Sequence, residues 1–328
     1  MLRGRVHGRV TKHVEDGRKD GRAGIAELRS YSTIVRAENS HPPKAVEGEW
    51  KVAFMLLLAH ALASAVAGFS DAANYFHYHM ASASYCSSAS LNAWNCAPCA
   101  RADASIDSLR VFSNSSTGGR AFTALVTPRG GDAYIALSFR GTEGLENWIN
   151  NLKFLKTDRT MSCKDCKVHS GFVDVWSSLA GHVVPELKQL RSAHPSAPLV
   201  VVGHSLGGAI ATLSSYVLAV DLGIPVEAVY TYGSPRVGNK EFAAAETRSS
   251  SSWRVTHHRD IVPHLPPETL LGFHHTATEV FYNDGGLKGK ECDGSGEDDS
   301  CSRQYVAPFW SVHDHLHYFN ETTGEDGC

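Results

Sequence analysis

The residues best suited to chemistry lie in the stretch Leu199-Val200-Val201-Val202-Gly203-His204-Ser205-Leu206-Gly207-Gly208-Ala209. A short apolar, largely β-branched run reads as a buried parallel strand. Gly203-x-Ser205-x-Gly207 follows, and Ala209 to Leu213 then reads as the start of a helix. Gly-x-Ser-x-Gly alone marks no more than a turn. Between a strand and a helix it is the pattern of a nucleophile elbow, which exposes a serine hydroxyl at the strand's C-terminal end. Glycines on either side let strand and helix approach closely. The helix then aims its first N–H groups and positive dipole end at the same point, which suits a developing oxyanion.

A serine nucleophile needs a base within hydrogen-bond reach, and the base needs a carboxylate to hold its tautomer. On an elbow of this type the chain order is serine, then acid, then histidine. Asp260, just past a strand-like run, is the best-placed acid, ahead of Asp221 at a helix end and Asp284 in a glycine turn. Near the C-terminus stand His313, His315 and His317, and spacing alone does not choose among them. Their His-x-His spacing also suits zinc, but no matching carboxylate–histidine set accompanies it. A second oxyanion donor should come from the loop after an earlier strand. Thr142, in Arg140-Gly141-Thr142, occupies such a place, although the same residues also fit an ordinary glycine turn.

Several elements must position these groups. Asp71 to Ala83 reads as a helix packed across a sheet, and Ser108 to Ser113, Ala121 to Thr127 and Ala133 to Phe139 read as strands. Leu145, Trp148, Ile149 and Leu152 share one face at helical spacing directly after the Thr142 loop. Behind the hinge-like Gly144 this segment reads as a lid, apolar face toward the site in water and rolled open at an oily surface. Gly171 to Ala193, N-capped by Ser170, reads as a long amphipathic helix. Val226 to Tyr232 and Trp253 to His258 complete an alternation of strands and helices. Such alternation, with candidate groups at strand C-termini, indicates an α/β class: an open, mostly parallel central sheet flanked by helices.

The 328 residues carry 31 Lys and Arg, 34 Asp and Glu, and a formal charge of -3, so nothing points to nucleic acid. Residues 1–50 are rich in Arg and Gly and lack apolar periodicity. They read as a disordered leader, or as an artefact of gene prediction with the true start further in, at Met55. Residues 51–67 look like a signal peptide: Lys51, an apolar run, and an Ala-x-Ala site cut after Ala65 or Ala67. The run falls short of the roughly 20 apolar residues of a membrane span. Residues 68–328 then form the mature domain. Eight cysteines and a signal imply an oxidising, extracellular setting. Asn114 and Asn320 are the candidate glycosylation sites.

The motifs Ser138-Phe139-Arg140-Gly141-Thr142, Glu146 to Leu152, Gly203 to Ala209, Tyr232 to Asn239, Arg259 to Pro267 and His315 to Phe319, in that order, resemble the secreted fungal class 3 lipases over about residues 70 to 328. The resemblance implies Ser205 as nucleophile, Asp260 as acid and His315 as base, the last because the family's histidine stands three residues before the tyrosine. It implies an α/β-hydrolase-like fold, with Thr142 and Leu206 as the oxyanion hole and Leu145 to Asn151 as a short helical lid. It pairs Cys86 with Cys328, Cys96 with Cys99 and Cys163 with Cys166, and, locally, Cys292 with Cys301. Two C-x-x-C pairs could instead hold zinc or do redox chemistry, but they lie far beyond ribbon spacing. The expected substrate is an acylglycerol at a lipid–water interface, handled by a monomer without metal or cofactor. Thr142 replaces the serine of many members but keeps a hydroxyl. The Glu291 to Cys301 insertion is closer to the related feruloyl esterases, whose flap is polar where this chain has Leu145, Trp148 and Ile149. A feruloyl or aryl esterase is therefore the nearest alternative. A non-catalytic lipid-binding protein on the same fold is the more distant one.

Overall fold

The computed structural model describes residues 69–151, 155–158 and 161–328. The leader and signal-peptide expectations for residues 1–67, and Leu152 of the lid stripe, lie outside the described residues, as does the side chain of Trp148.

Eight strands form the main sheet, side by side in chain order: β1 Ala104–Asn114, β2 Gly119–Pro128, β3 Tyr134–Phe139, β4 Leu199–His204, β5 Ala228–Tyr232, β6 Ser251–His257, β7 Glu279–Tyr282 and β8 Lys290–Glu291. β1, β2 and β3 pair antiparallel, β3 through β7 pair parallel, and β8 returns antiparallel. The expected mostly parallel, α/β-hydrolase-like sheet is the one observed.

Both faces of the parallel centre are covered, which explains why β4 is apolar from Leu199 to Val202. Its side chains alternate between two cores. Leu199 and Val201 pack with Ile135, Leu137, Leu179 and Leu213. Val200 and Val202 pack with Tyr78, Met80, Ala136 and Tyr230 on the opposite face. Helices α1 Asp71–Ala83, α3 Ser170–Ala193, α4 Leu206–Tyr216 and α5 Lys240–Thr247 account for most of that cover, while α2 Leu145–Asn151 follows the Thr142 loop at the cleft. Crossovers on this scale are what parallel neighbours require.

The cap of α3 differs from expectation. His169, not Ser170, is the N-cap, and its Nδ1 accepts from Gly171 N at 3.1 Å. The His169 ring lies stacked 4.2 Å from Phe172, which holds Nδ1 over the first turn. Ser170 already belongs to the helix.

All four cysteine pairs form as the resemblance implied: Cys86–Cys328, Cys96–Cys99, Cys163–Cys166 and Cys292–Cys301. Asn114 ends β1, its Oδ1 accepting from Ser116 N at 3.0 Å. Asn320 is exposed at the tip of the small hairpin His317–Tyr318/Glu321–Thr322. Among the described residues no helix is long and apolar enough to cross a membrane.

Candidate active site

β4 runs into α4 through Ser205, the N-cap of that helix, at φ 59° and ψ −130°. Positive φ is uncommon for a residue with a side chain. Here the surroundings impose it: Ser205 N donates to Tyr232 O at 2.9 Å, and its carbonyl accepts from Gly208 N at 2.9 Å. The flanking glycines are steric necessities. A Cβ on Gly203 would lie 2.2 Å from Gly207 O, and one on Gly207 would lie 2.2 Å from Phe139 O. That second contact draws the end of β3 against the elbow, bringing Thr142 and Ser205 to one cleft.

Asp260 and His315 arrive from distant segments. Asp260 follows β6, and His315 closes the short helix α6 Val312–His315. A bridge between Asp260 and Ser311 ties the two segments together. His315 Nδ1 lies 2.9 Å from both oxygens of Asp260. The carboxylate also accepts from Val262 N at 2.8 Å and from the Tyr318 hydroxyl at 2.7 Å. Burial alone would push Asp260 up. The His315 imidazole, its hydrogen bond, the Tyr318 hydroxyl and the Val262 N–H outweigh burial and hold Asp260 below the usual carboxylate range. An ionised acceptor at Nδ1 sets the tautomer, leaving Nε2 of His315 with a lone pair for the cleft.

The cleft has a volume of about 150 Å³, and Thr142, Leu145, His204, Ser205, His315 and Glu325 are among its lining residues. Three buried polar atoms here have no hydrogen-bond partner among the described residues: Ser205 Oγ, His315 Nε2 and Thr142 Oγ1. Orphaned buried polar atoms are uncommon and call for an explanation. Three of them around one cleft form a set of groups left for a ligand. The serine–imidazole bond is thus not made in this arrangement, as is common in unliganded sites, where such bonds tighten only with substrate bound. Leu206 is the first residue of α4, so its N–H belongs to the first-turn amides that no helical carbonyl can satisfy. Leu145 is buried and lines the cleft, and Ile149 is half-buried on the same helix.

Of the sequence-derived candidates, the structure brings Ser205, Asp260, His315, Thr142, Leu206 and Leu145 together. Asp221 instead accepts from the Ser162 N–H, at 3.2 Å, and from its hydroxyl. His313 and His317 stack on each other 3.9 Å apart, with His313 turned largely to solvent. Two residues at the site went unassigned in the sequence. Tyr318 donates to the acid, and Gly233 sits where a Cβ would stand 2.6 Å from Asp260 Oδ2 and 2.8 Å from His315 Nδ1. A glycine at a strand C-terminus was the available signal for the second. Among the described residues, Cys292, Asp298 and Cys301 form a cluster of metal-ligating types, but its two sulfurs are joined in a disulfide.

An open α/β sheet with a serine elbow at the end of a central strand, faced by a carboxylate-bound imidazole, defines the class of α/β-hydrolase-like folds. A family model described as "Lipase (class 3)" matches residues 136–270. The chain is 40% identical over 169 residues to a secreted mono- and diacylglycerol lipase 1 of Fusarium solani, covering 49% of each. Lipase II from Rhizopus niveus superposes with a TM-score of 0.70 at 30% identity, over 78% of this chain and 96% of that one. A triacylglycerol lipase whose catalytic centre is described as a serine protease triad gives 0.68 at 32% identity, over 77% and 95%. The chain therefore belongs to the class 3 lipase family. It spans about half the length of the first curated relatives it matches.

Proposed function

We propose that this chain is a serine carboxylic-ester hydrolase acting on acylglycerols, with Ser205 as nucleophile, His315 as base and Asp260 as the acid that orients it. The observation that carries this reading is the set of orphaned atoms, Ser205 Oγ, His315 Nε2 and Thr142 Oγ1, around one cleft beside an imidazole already held by Asp260. Ser205 Oγ attacks the ester carbonyl while His315 Nε2 takes its proton, and Asp260 stabilises the resulting imidazolium. The tetrahedral oxyanion accepts from the N–H of Leu206 and from the N–H and hydroxyl of Thr142. As the C–O bond breaks, the proton returns from His315 to the departing alcohol. Water, activated by the same imidazole, then attacks the acyl-serine and releases the fatty acid.

Acylglycerols are supported by the naming of the relatives as mono- and diacylglycerol or triacylglycerol lipases. The apolar Leu145 and half-buried Ile149 on α2 support that helix as the lid and a lipid–water interface as the working surface. Four disulfides, together with a relative named as secreted, support secretion, with residues 51–67 as the signal, residues 68–328 as the working domain and glycans at Asn114 and Asn320. The domain is proposed to work as a monomer.

Ser205→Ala tests the mechanism: ester hydrolysis and labelling by a fluorophosphonate should both disappear while the fold persists by circular dichroism. Hydrolysis at the wild-type rate would refute it. A series from butyrate to oleate esters, run beside methyl ferulate, tests the substrate class. Rates should favour the glyceride esters, and a preference for methyl ferulate would replace the lipase reading with a feruloyl esterase.

A further inference from the structure

His204, the residue before the proposed nucleophile, is buried and lies between two partners. Its Nε2 is 2.9 Å from the carbonyl oxygen of His315, and its Nδ1 is 2.8 Å from the hydroxyl of Tyr85. A carbonyl can only accept, so Nε2 carries the hydrogen and Nδ1 offers its lone pair to the Tyr85 O–H. The same hydroxyl oxygen faces the backbone N–H of Gly141. A Cβ at Gly141 would stand 1.9 Å from it and 2.8 Å from the His204 carbonyl, so only glycine fits that position in the Arg140-Gly141-Thr142 loop. Each group in this chain has one donor–acceptor assignment and no slack.

We propose that Tyr85 and His204 are positioning residues: a fixed relay that locks the oxyanion loop, the nucleophile elbow and the base into one register. The proposal rests on the triad reading above and adds two residues that border the cleft and act through the groups they hold. The relay ends at three places, namely Gly141 beside Thr142, the residue before Ser205, and the backbone carbonyl of His315. A shift in any one moves the donors relative to the attacking oxygen. The relay also needs an uncharged His204. The His204 and His315 rings are 4.5 Å apart, and a positive charge on the first would oppose the imidazolium on the second. Burial, then the neighbouring His315, pushes His204 down to about 3, so it stays neutral wherever His315 works.

The test uses the full chain and a soluble short-chain ester, so that interfacial binding plays no part. His204→Leu keeps the volume and removes the donor. Tyr85→Phe keeps the ring and removes the hydroxyl. His204→Gln restores a donor toward His315 O. Misplacement of reacting groups by about 1 Å can cost roughly a hundredfold in rate. The expected result is a fall in kcat of roughly tenfold or more for Leu and Phe, with KM within about twofold and most of the loss recovered by Gln. The fluorophosphonate labelling rate of Ser205 should fall in parallel while thermal unfolding stays close to wild type. An unchanged kcat in Tyr85→Phe would overturn the relay. So would a His204→Leu loss that tracks unfolding, or one that Gln leaves unrescued. A wild-type protein that fails to hydrolyse the ester or to take up the probe would instead sink the triad reading itself.

Discussion

At the scale of single residues, Thr142 asks the sharpest question, because it occupies a proposed oxyanion position with a hydroxyl that has no hydrogen-bond partner among the described residues. Two donors are available from one residue, the N–H and the Oγ1–H. Thr142→Val keeps the backbone and nearly the same shape, so it isolates the hydroxyl. One oxyanion donor is worth about 2.7–4 kcal/mol of barrier, and kcat should fall roughly a hundredfold or more with KM little changed. Steady-state kinetics on a soluble ester checks this, and a kcat within twofold of wild type would leave the N–H as the sole donor. Residue-level roles were unevenly legible. Ser205 could be read from five adjacent letters because the elbow is a local structure. Tyr318 and Gly233 could not, since their meaning comes from Asp260, which is 58 residues from Tyr318 in sequence.

At the scale of elements, α2 follows the Thr142 loop and presents Leu145 to the cleft. As a lid it would exchange that contact for one with an oil phase on opening. Truncating a buried leucine to alanine forfeits roughly 1.5–2 kcal/mol of apolar contact, about a ten- to thirtyfold effect. Leu145→Ala should therefore depress hydrolysis of emulsified long-chain esters by roughly that factor relative to soluble short ones. Equal losses on both substrates would remove the lid assignment. Periodicity located β1 to β6, α3 and α4, and gave α1 its bounds at Asp71–Ala83, but it found neither α5 nor the edge strands β7 and β8. It misjudged the α3 cap because Ser170 has the better capping propensity. Stacking of His169 on Phe172 overrode that propensity and moved the boundary by one residue.

Two features act on the whole molecule. Cys86–Cys328 closes a loop of 242 residues. In the chain-entropy model such a closure contributes about 5 kcal/mol. Replacing both cysteines, as in Cys86→Ala with Cys328→Ser, should lower the thermal midpoint by many degrees. The bridge also anchors the terminal turn Glu325–Gly327, of which Glu325 lines the cleft, so activity should decline before global unfolding. The second feature is Glu246, fully buried on α5 and accepting from Ser215 Oγ at 3.3 Å and Ser250 Oγ at 3.2 Å. Burial is the main influence and pushes it up to about 7, from an ordinary 4.5. A raised folded pKa means that the folded state holds the proton longer than the unfolded state does. Its stabilising contribution is complete below about pH 4.5 and is lost as pH rises to about 7, a change on the order of 3 kcal/mol. Glu246→Gln should flatten that decline. Its advantage in thermal midpoint over wild type should be larger at pH 8 than at pH 4.5, and an equal difference at both would refute the assignment.

The sequence by itself determined the sheet class, the elbow serine and the covering helices α1, α3 and α4, because each is written in contiguous letters with a local period. Neighbouring residues share a strand or a turn, and their pattern is the pattern of burial. Only the tertiary structure decided which groups meet. It joined Asp260 to His315, put the Tyr318 hydroxyl on the carboxylate, and closed the Tyr85–His204 chain across three segments. Such contacts depend on crossovers that bring strand ends to one edge. No local pattern carries them, because the distance between two side chains in space is unrelated to their separation along the chain.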